Sequence, residues 1–180
     1  QSGFVFVAQM RSGLPDPIGG VLWFGTDDAN MTVFTPVYCC TDKVPVCYTR
    51  VDGADYITFS WNSAFWIFNW VANMVYPRYD LMMGDGRATQ TTFNEAQEGV
   101  EAAAAKLLEK DPAKAKAFLT NYTNMTAQST FDTWKRLGEF LVVKYNDGVV
   151  KRMKNGQFER NSIGQPAGVI RPGYPKEFLE

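Results

Sequence analysis

Arg11 is the first residue whose type and place allow chemistry. It follows Gln9-Met10 where an apolar segment ends. A guanidinium there can grip a carboxylate or an oxyanion with its planar fork of donors. It can equally close a structural ion pair, with Asp16, Asp27 or Asp28 as the nearby acidic partners. The thiols come next: Cys39, Cys40 and Cys47. A Cys40–Cys47 disulfide would close the loop 41–46, and an odd count leaves at least one thiol over. The other reading is small apolar residues at a buried strand end. If the strand continues, adjacent Cys39 and Cys40 point to opposite faces. Three thiols without further zinc-type donors do not make a metal site, so no metal and no cofactor is expected. The chain has 0 histidines, which excludes Ser–His–Asp and Cys–His catalysis within it and removes HExxH zinc chemistry. An internal cysteine is therefore a poor nucleophile here.

The elements that must position these groups begin with three short strands. Residues 4–8 (FVFVA) are aromatic and β-branched, which suits a half-buried pleated surface. Pro15 and Pro17 cannot continue a ladder, since neither has an N–H to donate. The run 21–24 (VLWF) reads as a second strand. Asp27, Asp28 and Asn30 supply turn chemistry by bonding back to nearby amides. A third strand is expected over 32–35, closed by Pro36. The segment 39–55 reads as loop, and 56–59 as a short strand.

Helices should follow. Ser63 is the expected N-cap. Phe65, Phe68, Val71, Ala72 and Val75 share one face and Trp66, Trp70 and Met74 another, so this helix is expected to lie buried between layers. A pocket lined by Trp61, Trp66 or Trp70 is the sharper alternative. Pro77 should end or kink the helix, with a further turn over 79–83 and a stop at Asp85-Gly86. The pattern over 91–109 is helical, with Phe93, Ala96, Val100, Ala103, Ala104, Leu107 and Leu108 on one side. Asp111-Pro112 is an acidic N-cap before a proline, a strong start. That helix should break at 121–124, where Asn and Thr compete for the backbone. The next runs over 125–145 and closes at Asn146-Asp147-Gly148. Beyond it, 149–153 should form a short strand turned by Asn155-Gly156. From 157 on, the chain reads as an extended strap. The organisation expected is a strand-rich segment 1–60, a helical segment 61–148 and a strap 149–180, together one structural domain.

Composition bounds the functions. A chain of 180 residues with 46% hydrophobic and 14% aromatic residues can bury a proper core. The net charge of −1 argues against a polyanion-binding surface, so no nucleic-acid partner is expected, and the basic group Lys144, Lys151, Arg152 and Lys154 reads as a solvated turn. No apolar run reaches the length of a membrane span. No secretory leader is visible, and a start at Gln1 suggests a truncated or processed chain. The sequons at Asn30, Asn121 and Asn124 matter only in a eukaryotic secretory setting. An extracytoplasmic location, periplasmic or secreted, is favoured over a cytoplasmic one.

The order AQMR, LP, IGGVLWFG, VFTPVY, VPVCY, and then SAFWIFNWVANMVYPRY, two long helical segments and VVKYNDG, resembles the C-terminal part of the dipeptidase A and secernin family. The resemblance runs from about Phe4 to about Gly148. It implies a cysteine peptidase of the N-terminal-nucleophile hydrolase class that cuts dipeptides. In that class the nucleophile is a cysteine at the mature N-terminus, and its own α-amino group serves as the base. The lack of histidine is compatible with that chemistry. The nucleophile is not in this chain, which then reads as the last third of a longer enzyme, inactive alone. The resemblance implies an α+β fold in which antiparallel strands, part of an αββα sandwich, precede a layer of antiparallel helices. It implies a supporting role for Arg11, either lowering the thiolate pKa by its charge or holding a substrate carboxylate. The expected partners are a dipeptide substrate and either the remainder of the same enzyme or a second copy, because a cut sheet edge needs cover. The alternative is a non-catalytic binding or assembly domain.

Overall fold

The computed structural model describes residues 2–93 and 97–173, the side chains of 97 and 98 excepted. The fold is α+β. The chain divides into two compact units, residues 1–137 and 138–180.

The first unit is built on a three-stranded antiparallel sheet of order β1-β2-β3: β1 (Phe4–Met10), β2 (Gly20–Thr26) and β3 (Thr35–Tyr38). In the β1–β2 pairing Phe4 faces Thr26 and Met10 faces Gly20. The prolines expected to form a plain turn wind instead into a one-turn helix, α1 (Asp16–Gly19), with proline in its first turn where no N–H is needed.

The third strand lies later than 32–35. Gln90 Nε2 donates to the carbonyls of Asn30 and Thr32, at 2.9 and 2.8 Å, so a side chain takes backbone acceptors that a ladder would use. Thr32 also packs under Gly25, where an added Cβ would meet Thr32 Cγ2 at 2.5 Å. Pro36 is tolerated inside β3 because that strand is a sheet edge. The Asx turn expected before it is present: Asp28 Oδ1 accepts from the amides of Asn30 and Met31 at 2.9 and 3.1 Å.

The expected strand at 56–59 is reduced to a single bridge between Asp55 and Thr58. Ser63 stands at the N-cap of α2 (Ala64–Val75) but makes no side-chain cap. This helix buries one face, with Ile67, Phe68, Val71, Ala72 and Val75 inside, while Trp66 and Trp70 are only partly covered. It is thus half-buried rather than enclosed on both sides. As expected, the helix ends ahead of Pro77: α2 stops at Val75, a 3₁₀ turn follows at Tyr76–Arg78, and Arg78 leaves helical geometry at φ −140, ψ 44 before α3 (Tyr79–Thr91), which runs through the stop expected at Asp85-Gly86.

Helix α4 (Gln97–Lys110) begins later than expected, and positions 94–96 lie outside the described residues. Helix α5 (Pro112–Tyr145) starts where Asp111-Pro112 requires, and Asp111 Oδ1 accepts from the Lys114 amide at 3.1 Å. It does not break at 121–124. Thr123 Oγ1 donates to the Pro36 carbonyl at 3.1 Å, and Asn124 Nδ2 reaches the Lys43 carbonyl at 3.0 Å. Thr123 thus serves the sheet, and Asn124 divides its amide between the loop and the Thr120 carbonyl one turn back, at 2.9 Å, so neither side chain unwinds the helix. Ile18, Val21, Tyr38, Ala104 and Leu119 form one buried cluster, joining α1 and the sheet to α4 and α5.

In the second unit Gly148 adopts φ +69, the left-handed closure expected there. β4 (Val150–Lys151) pairs with β7 (Val169–Ile170), and β5 (Met153–Lys154) with β6 (Gln157–Phe158). Asn155 and Gly156, at φ 51 and 76, make the tight turn between β5 and β6. Where an extended strap is expected, residues 157–173 fold back through a bridge between Arg160 and Pro166. Residues 174–180 lie outside the described part. Among the described residues, no helix is long and apolar enough to cross a membrane.

Candidate functional site

Arg11 leaves the end of β1 and meets Glu101 of α4. Nη1 and Nη2 donate to Oε2 and Oε1, each at 2.8 Å, and Nη2 also donates to the Ile18 carbonyl at 2.7 Å. Tyr38 OH adds a third donor to Glu101 at 3.0 Å. The expected ionic partners Asp16, Asp27 and Asp28 are not the ones used. The two side chains are 25% and 17% exposed, so the pair is largely withdrawn from solvent. Donating these hydrogen bonds to Glu101 raises the guanidinium pKa further, and Arg11 stays charged. Its fork is spent on holding β1 and α1 to α4, which leaves no free bidentate face for a ligand carboxylate.

The thiols are all free, so the Cys40–Cys47 disulfide is not formed. Burial pushes the Cys40 thiol up, and pushes Cys47 up to about 11. Neither has the electropositive, lowered-pKa surroundings of a nucleophilic thiolate. Among the described residues no group of three or more His, Cys, Asp and Glu side chains is arranged to hold a metal.

A cleft opens at the other end of β1. Its volume is about 320 Å³, and its walls include Phe4, Phe24, Tyr48, Phe65 and Tyr56, with Arg50 and Asp55 among the lining residues. Arg11 is seven residues along β1 from Phe4, about 23 Å at the rise of an extended strand, so it does not reach this cleft.

The rings of the walls pack against one another. Phe24 packs on Phe4 at 6.1 Å and edge-on to Tyr48 at 5.1 Å, and Tyr56 meets Phe65 edge-on at 5.2 Å. Tyr48 OH shares a hydrogen bond with Thr35 Oγ1 at 2.9 Å, and burial pushes its phenol pKa up.

Arg50 Nη2 donates to Asp55 Oδ2 at 3.1 Å. Their side chains are 75% and 35% exposed. Asp55 is set by its own loop: Oδ1 accepts from the Ile57 amide at 3.0 Å, and this bond leads the causes that hold its carboxyl below the ordinary value of 3.8. Trp66 locks that loop from behind, its Nε1 donating to the carbonyls of Asp55 and Thr58 at 3.0 and 2.7 Å. Asp52, at φ 54, bends the chain before it and accepts from Ser60 Oγ and Asn62 Nδ2 at 2.7 and 2.8 Å.

The pocket expected from Trp61, Trp66 or Trp70 is therefore displaced by one helical position: Phe65 lines the cleft and Trp66 supports it. Arg50 and Asp55 were not legible as a site. The signal was a charge pair five residues apart in a loop with Asp52-Gly53 turn chemistry, which is common on any surface. Such an arrangement can bind a small ligand that carries both charges and an apolar body.

The family model described as peptidase family C69 matches residues 1–92, about half of the chain. No curated protein matches it. The matched residues contain the whole cleft and Arg11, and end before Glu101.

Proposed function

Since the chain belongs to peptidase family C69, we propose that it forms the substrate-binding part of a cysteine dipeptidase of the N-terminal-nucleophile class. The single observation carrying this reading is that the cleft, lined by residues from Gly3 to Phe65, lies inside the matched region. Its volume of about 320 Å³ sits at the small end of the range for ligand sites. It offers one cationic and one anionic side chain, and a dipeptide carries one of each sign.

The nucleophile is a cysteine outside these residues: the partly buried Cys40 and the buried Cys47 are thiols of raised pKa, and no histidine can activate any thiol here. In the proposed reaction the thiolate attacks the peptide carbonyl. The departing amine takes the proton held by the nucleophile's own α-amino group, and water then releases the acyl group. Arg11 takes part as a positioning residue, through the strand whose far end lines the cleft. Strand β1 is a sheet edge with Phe4, Phe6, Val7 and Met10 exposed. The remainder of the same enzyme, or a second copy, pairs on that edge.

The test is dipeptide hydrolysis by protein expressed from the complete gene, with intact mass measured and with and without a thiol alkylating agent. Hydrolysis lost on alkylation, with a cysteine at the mature N-terminus, is the expected result. A product whose mass matches these residues alone and which hydrolyses no dipeptide would sink the enzyme reading in favour of a binding module.

A further inference from the structure

Resting on the dipeptidase reading, we infer that Arg50 and Asp55 measure the length of the substrate: Arg50 takes the α-carboxylate of a free dipeptide and Asp55 its α-ammonium, with an apolar or aromatic side chain lying among Phe4, Phe24 and Phe65. The pair is suited to opening. Arg50 is three-quarters exposed and holds Asp55 through one hydrogen bond of 3.1 Å. Its long side chain can swing outward at little cost, since exposed pairs of this kind contribute little. Asp55 cannot follow it, because the Ile57 amide and the two carbonyls bonded to Trp66 fix its loop. The result is one fixed anion and one adjustable cation on the border of an apolar cleft.

An extended chain advances about 3.3–3.6 Å per residue. A dipeptide's two charged ends are therefore within the span that the swing of one arginine can open. A tripeptide moves one end a further residue away, and a peptide blocked at either end presents only one charge. The cleft then discriminates by leaving Arg50 or Asp55 without a partner. Losing one charge-assisted hydrogen bond lowers affinity about tenfold to a hundredfold.

The experiment is a calorimetric titration of the full protein with alanine replacing the N-terminal nucleophilic cysteine, so that ligand is not consumed and Cys47 in the cleft wall stays unmodified. The probes are phenylalanyl-alanine, its N-acetyl form, its C-terminal amide and phenylalanyl-alanyl-alanine. They are run on the wild type, on Arg50→Gln and on Asp55→Asn, a substitution that keeps the acceptor for the Ile57 amide. Free phenylalanyl-alanine should bind best. Amidation should cost about tenfold or more in the wild type and almost nothing in Arg50→Gln. N-acetylation should show the same lack of additivity with Asp55→Asn. Because the blocked ligands probe the unaltered protein, a variant that folds poorly does not spoil the test. Equal affinity for all four probes, or no binding of the free dipeptide, overturns the inference. So does a protein that hydrolyses dipeptides with both variants indistinguishable from wild type, and this leaves the dipeptidase reading standing. Binding governed by both charges in a protein that, with its own cysteines intact, hydrolyses nothing supports the cleft and overturns the dipeptidase reading instead.

Discussion

Strand β1 runs between two arginine–carboxylate pairs of opposite character. At its end, Arg11 and Glu101 come from positions 90 residues apart, share two bonds of 2.8 Å and are largely covered. By the cleft at its start, Arg50 and Asp55 are five residues apart, share one bond of 3.1 Å and are open to water. The same two functional groups make a pin in one place and an available pair in the other. Burial and the number of additional donors decide which.

The largest effect should come from breaking the pin. Arg11→Ala leaves Glu101 partly buried without its bidentate partner, Tyr38 still donating to it, and should cost about 2 kcal/mol or more in urea unfolding. Glu101→Ala should match it, and the two losses should not add. A double substitution to Met and Leu should recover much of the loss, since a packed apolar pair replaces a desolvated ionic one. If Arg11→Ala unfolds like the wild type, the pin is no pin.

Cys47, in the cleft wall, gives a pH signature of intermediate size. Its thiol pKa is raised from 9.0 to about 11 by burial. A raised folded value favours the fold fully below pH 9, and that contribution is lost as the pH climbs through about 11. Stability should therefore fall across this window, and Cys47→Val should flatten the fall. An identical alkaline profile for the variant would show that other groups govern it.

The smallest effect sharpens the comparison from the other side. Arg50→Ala should leave the urea midpoint where it is, because the pair is exposed. Asp55 titrates below 3.8. Any contribution of its charge to ligand affinity is present above that value and lost as the pH falls through the lowered one. Raising salt should weaken dipeptide affinity while barely touching the effect of Arg11→Ala, since screening acts on exposed charges. A large stability loss in Arg50→Ala would collapse the distinction between the two ends.

Much of the scaffold was legible in sequence because its signals are local. Asp111-Pro112, the Asp28 turn, Gly148 and Asn155-Gly156 each act within a few residues, and each appears where expected. The errors share a different cause. The third strand is displaced by Gln90, which bonds back to carbonyls some sixty residues earlier. The break at 121–124 is cancelled by Pro36 and Lys43, more than eighty residues away. Glu101 could not be found from Arg11, since no spacing rule connects a strand end to a helix 90 residues on. The cleft was hidden for the same reason: β1, β2 and the loop of Arg50 to Tyr56 must fold together before Phe4, Phe24 and Tyr56 face one space.

Strand β1 also carries a hazard. Phe4–Met10 is seven residues of high β-propensity without charge, proline or glycine, placed on an open sheet edge. Those are the properties of a segment that stacks into cross-β fibrils. Whatever covers this edge in the working protein is therefore also its solubility partner. Concentrated solutions of these residues alone should develop thioflavin-positive fibres, and a lysine at Phe6 should suppress them.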